Sequence, residues 1–187
     1  MSSTASVEGG ERLRLFCALR LPEPALDALE AWQAGLSGGR LVPRANLHVT
    51  LAFLGWRPAG EAPAVVAELR SAAASAERPV LHARRWRETR SVGMLVLDDE
   101  GGAATRLAED VQGRMERLGV YRREQRPWLP HVTVLRFRER PRLRVEPAEL
   151  GPLMPSDAAV YLSRLRAQSS GNRGAQYEVL ESAVIGG

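Results

Sequence analysis

The chain has 187 residues, a net charge of +4, and 44% hydrophobic and 26% charged side chains, a balance that suits one folded domain and leaves no apolar run long enough to span a membrane. All 26 basic side chains are arginine, and a chain without lysine excludes a Walker A phosphate loop, a pyridoxal Schiff base and the lysine nucleophile of an ATP-dependent nucleic-acid ligase. Cys17 is the single cysteine, so no internal disulfide can form; its apolar neighbours in LRLFCALRL predict a buried, inert thiol in a reducing compartment, the cytoplasm.

Residues 1–11 are small and polar, without a basic segment leading into an apolar one, and are expected to be a disordered leader rather than a secretory signal. RLRLFCALRL then alternates like a half-buried strand, and PEPALDALEAWQAGL follows with proline entry and helical spacing of Leu26, Leu29 and Trp32. LHVTLAFLG is the next strand, EAPAVVAELRSAAASA a second helix, and PVLHARRW and VGMLVLDD two further strands. After the turn signal DDEGG, residues 103–118 read as a helix, PHVTVLRF as a strand, and residues 158–165 and 175–184 as closing strands. The two halves rhyme. This order predicts an α+β fold, residues 12–187 forming a single bilobal domain in which two antiparallel-rich lobes carry helices outside and share a groove.

The clusters RRWRETR and YRREQRPW suit a phosphate-rich partner through bidentate guanidinium contacts. Charge runs are equally the mark of solvated faces, so the charge alone does not assign nucleic-acid contact.

Within NLHVTLAFLG (46–55), a histidine and a threonine stand two apart in an otherwise apolar strand, and LPHVTVLRF (129–137) repeats the H-V-T-hydrophobic tetrad about 80 residues later. Strand side chains alternate faces, so His48, Thr50 and Ala52 share one face and Val49, Leu51 and Phe53 the other; in the second strand His131 and Thr133 project opposite Val132 and Val134. His82, the third histidine, lacks the pattern and reads as an ordinary surface side chain. A metal centre would call for a third ligand, and no nearby carboxylate offers one. Nucleophilic catalysis lacks a G-x-S-x-G elbow, and the lone cysteine sits in an apolar strand. Paired acid–base chemistry suits two imidazoles, since one accepts a proton while the other gives one. In-line displacement at phosphorus needs that division of labour, with the threonine hydroxyls available to the non-bridging oxygens.

NLHVTLAFLG and RPWLPHVTVLRF resemble the paired signatures of the two-histidine phosphoesterase superfamily, and within it those of the RNA 2',3'-cyclic phosphodiesterase family, historically called 2'-5' RNA ligase. The resemblance runs from RLRLFCALRLPE to YLSRLRAQSSGNRGAQYEVL. It implies two related antiparallel-rich β-sheet lobes with outer helices around a central cleft, needing neither metal nor nucleotide cofactor; the chain is expected to be a monomer. It implies a reaction in which water opens a terminal 2',3'-cyclic phosphate of RNA to a 2'-phosphate, and alongside it ATP-independent 2'-5' RNA ligation. By the same resemblance His48 is the proton donor to the departing 3'-oxygen and His131 the base that activates water, while Thr50 and Thr133 hold the phosphate. Arg136 stands five residues after the second histidine, where the family places an arginine, although strict alternation points it away from His131 unless a bulge intervenes near Leu135. Phe16 matches an aromatic near the family pocket, where it could stack on a base or simply pack inside. Relatives often carry a tryptophan in the strand written here VGMLVLDD, with Leu95 in its place, and the AQSSGNRGAQ loop is longer than theirs. A non-catalytic RNA- or nucleotide-binding module, and a phosphodiesterase of a small cyclic nucleotide or a 2'-5' oligoadenylate, are the alternatives that the tetrads leave open.

Overall fold

The computed structural model describes residues 11–146, 149–165 and 174–186. Apart from Glu11, the expected leader lies outside the described residues, as do residues 167–173 of the AQSSGNRGAQ loop. The elements run β1 (Arg12–Arg20), α1 (Glu23–Gln33), β2 (Arg40–Leu41), β3 (His48–Pro58), α2 (Ala62–Ala74), β4 (Val80–Glu88), β5 (Val92–Glu100), α3 (Ala103–Arg117), β6 (His131–Arg136), β7 (Asp157–Leu165) and β8 (Ala175–Val184). Each expected helix and strand is present; the two-residue β2 is additional, too short to leave a periodic signal.

Local chemistry sets the boundaries. Prolines at the first turns of α1 and α2 lack the N–H that a helix start leaves unpaired. For α3 the entry residues Gly101 and Gly102 adopt positive φ, and the Asp99 carboxylate reaches forward to accept from the backbone N–H groups of Ala104 and Thr105 at 3.1 and 2.7 Å. An acidic side chain there satisfies donors that the first turn cannot pair and favours the positive end of the helix dipole.

All strands join one curled antiparallel sheet in the order β4-β5-β6-β3-β1-β7-β8, with β2 hydrogen-bonded to β6. Its halves are the two lobes, β3-β1-β7-β8 on one side and β4-β5-β6 with β2 on the other. They meet at a single register pair, Val49 with Val132. One face of the sheet, bearing Leu15, Val49, Leu95, Val132 and Val160, is buried with helix residues such as Leu29, Leu69 and Leu107 in one core. Cys17 lies in this core fully buried, and desolvation pushes its thiol up to about 12, which keeps it protonated and inert as expected.

Two of the helices reach across the seam. From the first half, α1 reaches the second lobe, where Trp32 packs edge-on to Trp86 of β4 at 6.3 Å. From the second half, α3 packs on β3 of the first lobe. Gly93 of β5 has the Trp86 ring where a β-carbon would be, so that a side chain there would drive the indole out.

Candidate active site

Both candidate histidines open a strand, His48 in β3 and His131 in β6. Because Val49 and Val132 are buried in the core, alternation turns His48, Thr50, His131 and Thr133 to the opposite face. Carrying the Val49–Val132 register one residue each way sets His48 across from Thr133 and Thr50 across from His131. The imidazoles are therefore diagonal neighbours over the seam between the lobes.

Each ring is fixed in the same way. Nδ1 of His48 lies 2.8 Å from the carbonyl oxygen of Asn46, and Nδ1 of His131 lies 2.8 Å from that of Leu129, two residues back in both cases. A carbonyl only accepts, so Nδ1 carries the proton in both rings and Nε2 of the neutral imidazole is left as an acceptor. On His48 that nitrogen is 3.1 Å from the Thr50 hydroxyl, which donates to it. On His131 it has no protein partner among the described residues.

Burial lowers His48 from its ordinary value to about 4; the Asn46 bond opposes this, while the charges of His131 and Arg136 add to it. For His131 burial also lowers the pKa, the Leu129 bond opposes, and the guanidiniums of Arg126 and Arg87 act with burial. With no anion bound, both rings are neutral at pH 7, and a bound phosphodiester would supply the negative charge that lets one keep a proton.

The path of each strand beyond its threonine breaks the simple alternation, and does so identically. In β3 the register with β1 skips Leu51, passing from Thr50 opposite Ala18 to Ala52 opposite Cys17. In β6 the register with β5 skips Val134, passing from Thr133 opposite Met94 to Leu135 opposite Gly93. These are β-bulges at the third residue after each histidine. Two consecutive side chains then point inward, Leu51 with Ala52 and Val134 with Leu135, all buried. The fifth residue after each histidine is delivered to the exposed side: Phe53 in one lobe, Arg136 in the other. The bulge that Arg136 required is present, and its guanidinium reaches the Tyr177 hydroxyl at 3.5 Å, close enough to His48 to depress its pKa. Phe53 departs from its expected place beside Val49: the same insertion turns it outward, 48% exposed.

Phe16 is 3% exposed, sandwiched parallel to Tyr161 at 4.9 Å, with Tyr177 edge-on and the His48 ring also 4.9 Å away. It packs beneath the imidazole. Leu95 is fully buried in the core, and the neighbouring Met94 is the residue of that strand that lines the cleft. His82 lies on β4, outside this cluster, its exposed side chain paired with Glu100 at 2.7 Å.

Several participants left no mark in the sequence. Asn46 ties the site to β8, donating to the Ala175 carbonyl at 2.8 Å while its own side-chain oxygen accepts from the Tyr177 N–H at 3.3 Å. Two buried glutamines serve the bulges, each from a helix of the opposite half. Gln112 of α3 donates to the Leu51 carbonyl at 2.9 Å, and Gln33 of α1 to the Val42 and Val134 carbonyls at 2.8 and 3.4 Å. A polar residue on a buried helix face was the only available signal.

Hollows flank the histidine pair on both sides. Beside His131 and Thr50 lies a cleft of about 660 Å³ with Phe53, Met94, Arg87 and Arg122 among its walls. Beside Asn46, Tyr177 and Arg136 lies a smaller one of about 210 Å³. Among the described residues no group of three or more His, Cys, Asp or Glu side chains gathers as metal ligands, and no helix is long and apolar enough to cross a membrane.

Known proteins resemble the chain in sequence and in fold. A family described as LigT like Phosphoesterase matches residues 19–91. No curated protein sequence matches the chain. The crystal structure of TT0787 of Thermus thermophilus is 30% identical over 94% of this chain and 99% of its own, with a TM-score of 0.76. E. coli LigT in apo form is 22% identical over 94% of this chain and 99% of its own, with a TM-score of 0.75, and its complex with 3'-AMP, at 21% identity and the same coverage, also scores 0.75. With its lobes, its seam and its repeated histidine tetrads, the chain belongs to the two-histidine phosphoesterase superfamily, alongside the LigT-like phosphoesterases.

Proposed function

We propose that the protein is a metal-independent RNA 2',3'-cyclic phosphodiesterase that opens the terminal ring to a 2'-phosphate, acting as a cytoplasmic monomer of one bilobal domain. The observation that carries this reading is the identical seating of the two imidazoles, each held at Nδ1 by the carbonyl two residues back, with Nε2 left to exchange a proton on either side of one seam. His131, whose Nε2 is free of protein partners among the described residues, takes the proton of the attacking water. Water oxygen bonds to phosphorus as the P–O3' bond breaks, and His48, protonated once the anionic substrate is bound, gives its Nε2 proton to the departing 3'-oxygen. Thr50 and Thr133 donate to the non-bridging oxygens as charge builds there, and Arg136 neutralises the phosphate from the Tyr177 side. Phe16 supports the His48 ring by packing and is too covered to stack on a base. With a 5'-hydroxyl in place of water as the attacking group, the same proton exchange, run in the same direction, forms the P–O5' bond as P–O3' breaks and gives 2'-5' ligation without ATP. E. coli LigT holds 3'-AMP, a ribonucleotide of the size that such a cleft would accept.

The test is a panel of substrates: RNA with a 2',3'-cyclic end, mononucleoside 2',3'-cyclic phosphates, a 2'-5' oligoadenylate and ADP-ribose 1'',2''-cyclic phosphate, each with and without EDTA. The expected result is turnover of the 2',3'-cyclic substrates to 2'-phosphates, unchanged by the chelator. A 3'-phosphate product, loss of activity with EDTA, or turnover confined to the other two substrates overturns the reading.

A further inference from the structure

Beyond the histidine seam the concave side of β1 and β3 carries a line of groups that the terminal phosphate chemistry does not use. Paired residues of an antiparallel ladder share a face. Trp56 pairs with Arg14 and Phe53 with Phe16, and Arg14 and Phe16 lie two apart on β1, so all four stand on the face that bears His48 and Thr50. Phe53 and Trp56 are 48% and 51% exposed. Between them the Arg14 guanidinium lies 4.9 Å over the Phe53 ring, steadied by the Ser163 hydroxyl at 3.3 Å. Arg12 closes the far end, bonded to the Trp56 carbonyl at 2.9 Å. Their partners on β1, Phe16 and Arg14, stand two and four residues from Ala18, the partner of Thr50, so the two aromatics lie roughly 7 and 13 Å along the strand from Thr50.

The facing wall is basic. Arg87, Arg122 and Arg126 line the same cleft as Phe53 and His131; the carboxylate in that wall, Glu124, is already paired with Arg126 at 2.6 Å. Half-exposed aromatic faces interleaved with guanidiniums, continuous with a phosphate-directed site, suit a polyanion with unstacked bases: aromatic side chains take the bases and arginines the backbone. A duplex offers no free base face to Trp56, and an apolar protein partner would leave this many guanidiniums desolvated.

From this geometry we propose that the cleft, together with the strand face running out from it past Phe53, binds single-stranded RNA over several nucleotides, with Phe53 and Trp56 as stacking platforms and Arg14, Arg87 and Arg122 on the backbone, so that oligonucleotide ends are preferred to mononucleotides. The proposal rests on the cyclic phosphodiesterase reading for what happens at the terminus, but not for the binding of the strand. The direct test measures, by fluorescence anisotropy, the affinity of a 5'-fluorescein-labelled single-stranded hexaribonucleotide ending in a 3'-hydroxyl. Trp56→Ala is expected to weaken binding about 5- to 100-fold, Trp56→Phe to restore most of it, and Arg122→Gln to lower the slope of log K against log salt by about 0.7. Thermal melts check that the variants are folded. In turnover, a cyclic-ended hexamer is expected to exceed the mononucleoside 2',3'-cyclic phosphate in kcat/KM, with Trp56→Ala abolishing the advantage. Hexamer binding insensitive to Trp56→Ala, or duplex RNA bound as tightly as the single strand, overturns the proposal even if mononucleotides are hydrolysed. Trp56-dependent binding without turnover of any cyclic phosphate leaves the strand track standing and removes the hydrolytic reading instead.

Discussion

A histidine that donates through Nδ1 to a fixed carbonyl can change protonation only at Nε2, so the chemistry of His48 and of His131 is confined to one atom each. Replacing either by alanine is expected to reduce turnover of a cyclic phosphate by about 10²- to 10⁴-fold with the fold retained, as read by circular dichroism, whereas His82→Ala leaves the rate unchanged. The pH profile follows from the direction of the shifts. His131 must be neutral to act as base, and its lowered pKa carries that limb below the ordinary imidazole value. His48 must be protonated to act as acid, and in the free protein that is rare above its pKa of about 4. The maximum of kcat/KM therefore lies on the acid side of pH 6.5, and the maximum of kcat lies higher, because a bound anion raises both groups. A kcat/KM maximum at pH 8 would contradict this assignment. These two residues were readable in the sequence because their tetrad occurs twice. The covered position of Phe16 was not, since Tyr161 and Tyr177, more than 140 residues further along, are what enclose it.

At the scale of the element, the bulges decide which side chains reach the cleft. An alternation of period two describes HVTL and HVTV correctly as far as the threonine, then fails at the inserted Leu51 and Val134. Nothing in the run LAFLG announces an extra residue, because small and apolar side chains suit either face; the arginine of VLRF could be reconciled with the site only by supposing such an insertion. A buried glutamine from the opposite half meets the carbonyl of each inserted residue; that of Val134 also accepts from the Val42 N–H at 2.9 Å. Gln112, 6% exposed, is bonded to the Leu51 carbonyl. Gln112→Leu keeps the volume but leaves that carbonyl without its donor, which costs about 1–3 kcal/mol. Thermal denaturation of this variant is expected to show a midpoint several degrees lower. The loosened bulge displaces Thr50 and Phe53, so that kcat falls while the far side of the cleft still binds substrate. A midpoint equal to that of the wild type would mean that the bulge holds itself.

Across the whole molecule, the order of helices and strands and the kinship of the halves followed from periodicity and turn residues, whereas the reach of α1 and α3 across the seam and the union of both lobes in one sheet depend on contacts that no local pattern encodes. That union is narrow, a single pair between β3 and β6, and it leaves two imidazoles half-buried where charge is unwelcome. The consequence is a pH-dependent fold. Both histidines have folded pKa values below their unfolded value near 6.5, so between that value and about 4 the unfolded chain binds more protons than the folded one. Their contribution is fully present above pH 6.5 and is lost as pH falls through the folded pKa values, with His48 alone accounting for about 3 kcal/mol at most. In a buffer free of phosphate, the melting temperature is expected to fall more steeply from pH 6.5 to 4.5 in the wild type than in a His48→Gln, His131→Gln variant, which has no imidazole to charge at the seam. Added inorganic phosphate favours the protonated, folded form and should offset much of the loss in the wild type while doing little for the variant. Parallel slopes in the two proteins would mean that the acid sensitivity comes from surface carboxylates, and that the seam tolerates charge without an anion between the rings.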